Sequence, residues 1–273
     1  MARMICILLL VLGLPAQSVA QKFVPGCTLP ATLAPIAEKH PIDKTCIKSG
    51  LSKVSEKVAE SRIKNNLCAT GDPTTIEHDT LLELQTAADA AGIHLGDRFH
   101  PARPTTRFTT GKGELGEGDL VALTAWVLRA RNSNSSSGGE NVNCSKNGIE
   151  NNDIHIVLAK FVNHADIDED ECNSVTAELI PHLRPLAWTK ANLMDDRNHP
   201  FRFTGPLFLD SDHVPCRVDG SGGGPDRASV WEIHPVYNIE ICKFTSKAKC
   251  DPSNPANKKA WVTLADWIGT GEQ

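Results

Sequence analysis

Residues 230–242 read Val-Trp-Glu-Ile-His-Pro-Val-Tyr-Asn-Ile-Glu-Ile-Cys, and the period-2 alternation of this stretch decides the fold class. Successive side chains of a strand point to opposite sides of its sheet. Trp231, Ile233, Pro235, Tyr237, Ile239 and Ile241 therefore share one face, while Glu232, His234, Asn238 and Glu240 share the other. The pattern predicts a single long strand, half-buried, with its apolar face on a core.

Four more strand-like segments precede it, near residues 120–130, 153–160, 175–183 and 201–210. Residues 188–194, between the third and fourth, form a short helix candidate. Five strands with a helix between the third and fourth is the order of an OB-fold barrel. Residues 132–139 and 220–224 are low-complexity connections. In an OB barrel they would flank a ligand groove; as plain surface connectors they need no ligand. Upstream, residues 51–67 read as one helix, and Thr80-Leu81-Leu82-Glu83 reads as a capping box that opens another, stopped by Gly92. Leu81, Leu82, Leu84, Ala87, Ala88 and Ala91 give this second helix an apolar stripe that must pack on the sheet. The expected chain is mainly β: a signal peptide (1–20), a small helical, disulfide-linked N-terminal region (21–115), a five-stranded OB-like barrel (116–250) and a C-terminal tail packed on the barrel (251–273).

Arg3, the apolar run 5–14 and the small residues of Ser18-Val19-Ala20 have the pattern of a secretory signal, too short to span a bilayer. The expected location is secreted or periplasmic. Of nine cysteines, Cys6 would leave with the signal, and eight remain: Cys27, Cys46, Cys68, Cys144, Cys172, Cys216, Cys242 and Cys250. An even number in an oxidising compartment predicts disulfides, with the pairing left open. Three of the eight precede residue 70 and five follow residue 140, so full pairing needs at least one bridge between the two regions. No Cys-x-x-Cys occurs, which argues against a thioredoxin-like or zinc-ribbon role. Removing Arg3 takes the formal net charge from −5 to −6, and with one tyrosine in the chain this disfavours non-specific nucleic-acid binding.

Lys64-Asn65-Asn66-Leu67-Cys68, Asn152-Asp153-Ile154-His155-Ile156, Ser174-Val175-Thr176-Ala177-Glu178, Arg202-Phe203-Thr204-Gly205 and Trp231-Glu232-Ile233-His234-Pro235-Val236 together resemble a family of uncharacterised secreted bacterial proteins with a Trp-Glu-Ile-His-Pro-Val tail motif. The resemblance implies an exported bacterial protein with an OB-like core. It implies no catalytic residue.

Chemistry can sit on the polar strand faces. Asp153 and His155 are co-facial on the second strand; Thr176, Glu178, His182 and Arg184 on the third; Arg202, Thr204 and Asp210 on the fourth; Glu232 and His234 on the fifth. If the second, third and fifth strands are neighbours, Asp153, His155, Glu178, Glu232 and His234 converge, and such a set can ligate zinc, manganese or iron(II). Arg202 or Arg227 would then stabilise developing negative charge. The same residues can instead form cross-strand ion pairs with no ligand. Residues 166–171 are a carboxylate run, but Glu171 and Ala177 stand where an EF-hand needs Gly and Glu. Asp210-Ser211-Asp212-His213 can add ligands at the barrel rim or serve only as a turn, leaving His213 a polar-face residue. Gly-x-Ser-x-Gly, His-Glu-x-x-His and P-loop motifs are absent.

Two functional readings follow. One is a non-catalytic binding or interaction module for an unknown extracellular or periplasmic ligand. The other is a divalent-metal-dependent hydrolase, in outline a phosphodiesterase or nuclease, and the choice between enzyme and module is open at this point. Geometry separates them: convergence of the ligand residues around a concave pocket favours catalysis, whereas a convex wall, or burial under the N-terminal helices as a mere clamp, opposes it.

Overall fold

The structure, a computed structural model, describes residues 22–34, 40–133, 136, 138–160, 171–216 and 225–270. The signal sequence, the glycine-rich run 220–224 and carboxylate residues 166–170 lie outside the described residues. The strands are β1 (Thr74–Ile76), β2 (Phe108–Thr110), β3 (Gly113–Leu115), β4 (Leu120–Asn132), β5 (Ile154–Ala159), β6 (Val175–Leu179), β7 (Phe201–Leu209), β8 (Trp231–Ile233), β9 (Asn238–Cys242) and β10 (Trp261–Thr263). The α-helices are α1 (Ser55–Lys64), α2 (His78–Ala90), α3 (Lys190–Asp195) and α4 (Leu264–Thr270).

Strands β4, β5, β6, β8 and β7 close into a barrel in that order, because β7 also pairs with β4. All neighbours are antiparallel except β6 and β8, which are parallel. The long β4 makes closure possible. Its first half, Leu120 to Ala125, pairs with β7, and its second half, Trp126 to Asn132, pairs with β5. A register shift between Val127 and Arg129 marks a bulge, the feature that bends a strand around a barrel wall. Inside lie Val121, Leu123, Ile156, Leu158, Ala177, Leu179, Phe203, Leu207, Trp231 and Ile233. Leu81 and Leu84 of α2 join this core, with Leu82 and Ala87 packed against it, as the apolar stripe requires, and so does Leu193 of α3. In the C-terminal tail, β10 pairs with β9, and Leu264 and Trp267 of α4 pack into the same core.

The decisive stretch departs from its expectation. It is two strands, not one. β8 pairs with Leu207 to Leu209 and β9 pairs with Phe201 to Thr204 along the same edge of β7, and between them the chain bulges at a cis His234–Pro235 peptide. Pro235 cannot donate to a ladder, which ends β8. Gly205 of β7 admits the bulge: a Cβ there would overlap the Pro235 carbonyl oxygen and lie 2.7 Å from Ile233 Cγ2. Tyr237 fixes the bulge to the N-terminal region, its hydroxyl donating to Asn66 O at 2.7 Å and accepting from Ala69 N at 2.9 Å. The β8 half is buried on both faces, since Glu232 and His234 are both 0% exposed beneath N-terminal segments, while β9 keeps the half-buried alternation, with Asn238 and Glu240 partly exposed.

The second helix begins earlier than its sequence suggests. Glu77 is the N-cap and forms the capping box with Thr80, while Glu83 accepts from Gly111 N at 2.8 Å. Gly92, at φ +68°, follows the helix as expected. The cysteines pair as Cys27–Cys68, Cys46–Cys144, Cys172–Cys216 and Cys242–Cys250, and Cys46–Cys144 is the bridge between regions that the counting demanded. Among the described residues no helix is long and apolar enough to cross a membrane.

Candidate metal centre

Three strands that are distant in sequence bring the polar residues together on the outer wall of the barrel. β5 and β6 pair with His155 directly opposite Glu178. The parallel register of β6 and β8 aligns Ala177 with Ile233, so the next residues, Glu178 and His234, are neighbours. Asp153, two residues before His155, reaches the same spot. His234 Nε2 lies 3.0 Å from Glu178 Oε2 and 3.9 Å from Asp153 Oδ2, and His155 Nε2 lies 3.1 Å from Glu178 Oε1.

These contacts lack in-line N–H···O geometry. Asp153 Oδ2, Glu178 Oε2, His234 Nε2 and His155 Nε2 are buried atoms with no hydrogen-bond partner among the described residues. Leaving such atoms unbonded costs about 1–3 kcal/mol each, so convergence of several needs a compensating cation or proton. Asp153, Glu178 and His234 can each offer one ligand atom, all within 4.8 Å of one another. Four-coordinate zinc, with bonds of about 2.1 Å, spaces its ligand atoms roughly 3.4 Å apart, between the two distances from His234. Asn143 Nδ2 steadies the set by donating to Asp153 Oδ1 at 3.2 Å.

The electrostatics agree. Burial, reinforced by Glu140 and Glu178, raises the Asp153 carboxyl well above its ordinary range. Burial also raises Glu178, but His155, Lys64 and His234 outweigh it and hold that carboxyl low. Burial depresses the His234 imidazole, which favours the neutral form that ligates metals.

The wall is roofed. α1 and the segment around residues 140–142 cover it and enclose a cavity of about 200 Å³ lined by His155, Glu178, Asp210, His213, Lys64 and Glu140, among others, with Arg98 at an exposed edge. Lys64 Nζ lies 3.8 Å from Glu140, and Arg103 stacks over Phe208, whose ring meets His234 edge-on at 5.5 Å. A larger cavity of about 580 Å³ lies between β1 and residues 247–253. It is lined mainly by apolar atoms; of its lysines, Lys112 pairs with Glu77 at 3.0 Å and Lys160 with Asp79. Of the convergent residues, His155 and Glu178 line the smaller cavity, whereas Asp153 and His234 are buried behind them and do not.

Of the five ligand residues expected, four meet: Asp153, His155, Glu178 and His234. Glu232 does not. Its Oε2 accepts from Arg227 Nη1 at 2.8 Å, and Arg227 also binds Asp210, so a fully buried guanidinium already occupies both carboxylates. Arg227 is thereby spent on ion pairs rather than placed to meet a substrate. Arg202 stands elsewhere, paired with Glu240 (Nε to Oε2, 2.7 Å) and stacked on Trp261. His182 and Arg184 also leave the site, His182 to bind Asp43 at 2.7 Å and Arg184 to reach backbone carbonyls of residues 149, 152 and 179. His213 does line the cavity. Lys64 and Glu140 were missed, because nothing in their own neighbourhoods shows that α1 and the 140–142 segment close over β5 and β6.

No protein-family model matches the chain, and no curated protein is detectably similar to it.

Proposed function

We propose that this chain is an exported hydrolase of phosphate esters, built on an OB-type barrel, whose divalent cation is held by Asp153, Glu178 and His234 with His155 beside them. The observation that carries the reading is the convergence of buried, unbonded ligand atoms from three strands beside a cavity. The barrel order, its parallel β6–β8 pair and the α3 helix between its third and fourth strands support the OB-type assignment. The even set of disulfides supports export.

A divalent cation at such a site lowers the pKa of water and polarises a phosphoryl oxygen. Lys64 and Arg98 share the cavity lining with five carboxylates, Glu60, Glu140, Glu178, Asp210 and Asp212, so binding of an anionic substrate would depend on the cation being in place. A second reading, a non-catalytic module that binds metal for stability, is favoured by the complete burial of Asp153 and His234.

The test is thermal unfolding of the oxidised, metal-stripped protein titrated with zinc, manganese and calcium, beside a His155→Ala/His234→Ala double variant. Native-state binding at a hundredfold excess over Kd adds about 2.7 kcal/mol. A rise in Tm that the double variant lacks supports the centre. No rise with any metal overturns it, and a rise without hydrolysis of any phosphate ester leaves the non-catalytic module.

A further inference from the structure

β7 ends in the turn Asp210-Ser211-Asp212-His213, which the core of the metal centre does not use. This turn is held from several sides. Asp210 N donates to Val230 O at 2.9 Å, Ser211 Oγ donates to Ala102 O at 3.0 Å, and Arg103 Nη2 donates to Ser211 Oγ at 3.1 Å. Asp210 is itself fixed by the buried Arg227. His213 Nδ1 bonds Asp210 Oδ2 at 2.6 Å, and the side chain, 25% exposed, lines the same cavity as His155 and Glu178. A carboxylate on Nδ1 sets the tautomer and leaves Nε2 as the working nitrogen, the logic of a carboxylate–imidazole dyad. His213 stands in the turn after β7, and its bond to Asp210 ties the ring to the end of that strand beside the cavity.

We propose that His213 is the general acid of this cavity, protonating the leaving oxygen of a phosphodiester; this rests on the hydrolase reading above. In the step, a water oxygen forms the new P–O bond, and the P–O bond to the leaving oxygen breaks with its electron pair going to that oxygen. The proton on His213 Nε2 goes to the leaving oxygen, and the proton lost by the attacking water restores the imidazole through solvent. One water is consumed and one ester cleaved, with no oxidant or reductant. Asp210 is the positioning residue.

The experiment compares manganese-loaded wild type and His213→Gln on two diesters, diphenyl phosphate and bis(4-nitrophenyl) phosphate. Phenolate leaves poorly without a proton, whereas 4-nitrophenolate leaves readily. His213→Gln is expected to lower kcat/KM by about 10²- to 10⁴-fold on diphenyl phosphate and by less than about tenfold on the nitrophenyl ester. His213→Ala is expected to regain rate on diphenyl phosphate when free imidazole is added. Calorimetric manganese uptake equal to wild type shows that both variants keep the metal centre. Equal losses on the two esters, or no loss, overturn the role of His213 while leaving the hydrolase standing. A wild-type chain that cleaves neither ester overturns both.

Discussion

Two groups of buried carboxylates sit side by side on the outer wall of the barrel, and the protein treats them differently. Asp210 and Glu232 share the guanidinium of Arg227, a cation supplied from within the chain. Asp153 and Glu178 bond no arginine or lysine among the described residues and face the imidazoles of His155 and His234 instead. Both groups lie at similar depth, so burial alone does not distinguish them. The first is held by ion pairs to a buried arginine, although Asp210 Oδ1, Glu232 Oε1 and Arg227 Nε have no hydrogen-bond partner among the described residues; the second faces two imidazoles, with Lys64 acting on Glu178 without bonding it. The Arg227 group carries its own cation, and the second group is the one for which we propose a cation from outside.

The largest expected effect breaks the Arg227 group. Arg227→Met leaves Asp210 and Glu232 buried without their partner, and urea denaturation should show a loss of about 3–5 kcal/mol. The second group should respond in the opposite direction. Asp153→Asn removes a carboxyl whose charge burial disfavours but keeps an acceptor for Asn143, so the metal-free variant should match or exceed wild type by up to about 2 kcal/mol while losing any metal-induced rise in Tm. A large loss of stability in this variant would class the two groups together.

The pH dependence sharpens the contrast. The Asp153 carboxyl is raised above its ordinary 3.8, so the native state holds that proton more tightly than the unfolded chain, and its contribution is lost as pH rises from 3.8 through the folded value. Glu232, raised from 4.5 by burial and then Glu178, acts in the same sense. Burial pushes Asp210 up, but Arg227 and His213 hold it well below 3.8, so its contribution is present above 3.8 and is lost as pH falls through the lower value. Chemical denaturation of metal-free protein across pH should show both flanks. Saturating divalent metal, which displaces the Asp153 proton, should flatten the Asp153 share of the upper flank only. The smallest effect is expected at Arg202: its pair with Glu240 is about one-fifth exposed, and Arg202→Ala should cost about 1 kcal/mol or less by denaturation, with metal response intact.

Much of this contrast can be traced to what the chain reveals locally. Alternation located the barrel strands within a few residues and correctly made Asp153 and His155 co-facial, because the period of a strand is a local property. It could not show that a bulge at Pro235, packed over Gly205, divides residues 230–242 into two strands, since that depends on how β7 lies against it. Glu232 alternates in phase with His234 but pairs with Arg227, a residue next to a glycine-rich stretch that carries no strand pattern. Lys64 and Glu140 reach the site through tertiary closure, and only the counting of cysteines hinted that the chain before residue 70 and the chain after residue 140 had to meet.

That closure is also fastened covalently. α1 is bracketed by cysteines, Cys46 before it joined to Cys144 and Cys68 after it joined to Cys27, and Cys144 stands one residue from Asn143, which steadies Asp153. The roof over the cavity is therefore stapled on both sides of α1, and reduction of Cys27–Cys68 and Cys46–Cys144 is expected to loosen the cover before the barrel wall, which neither bond fastens.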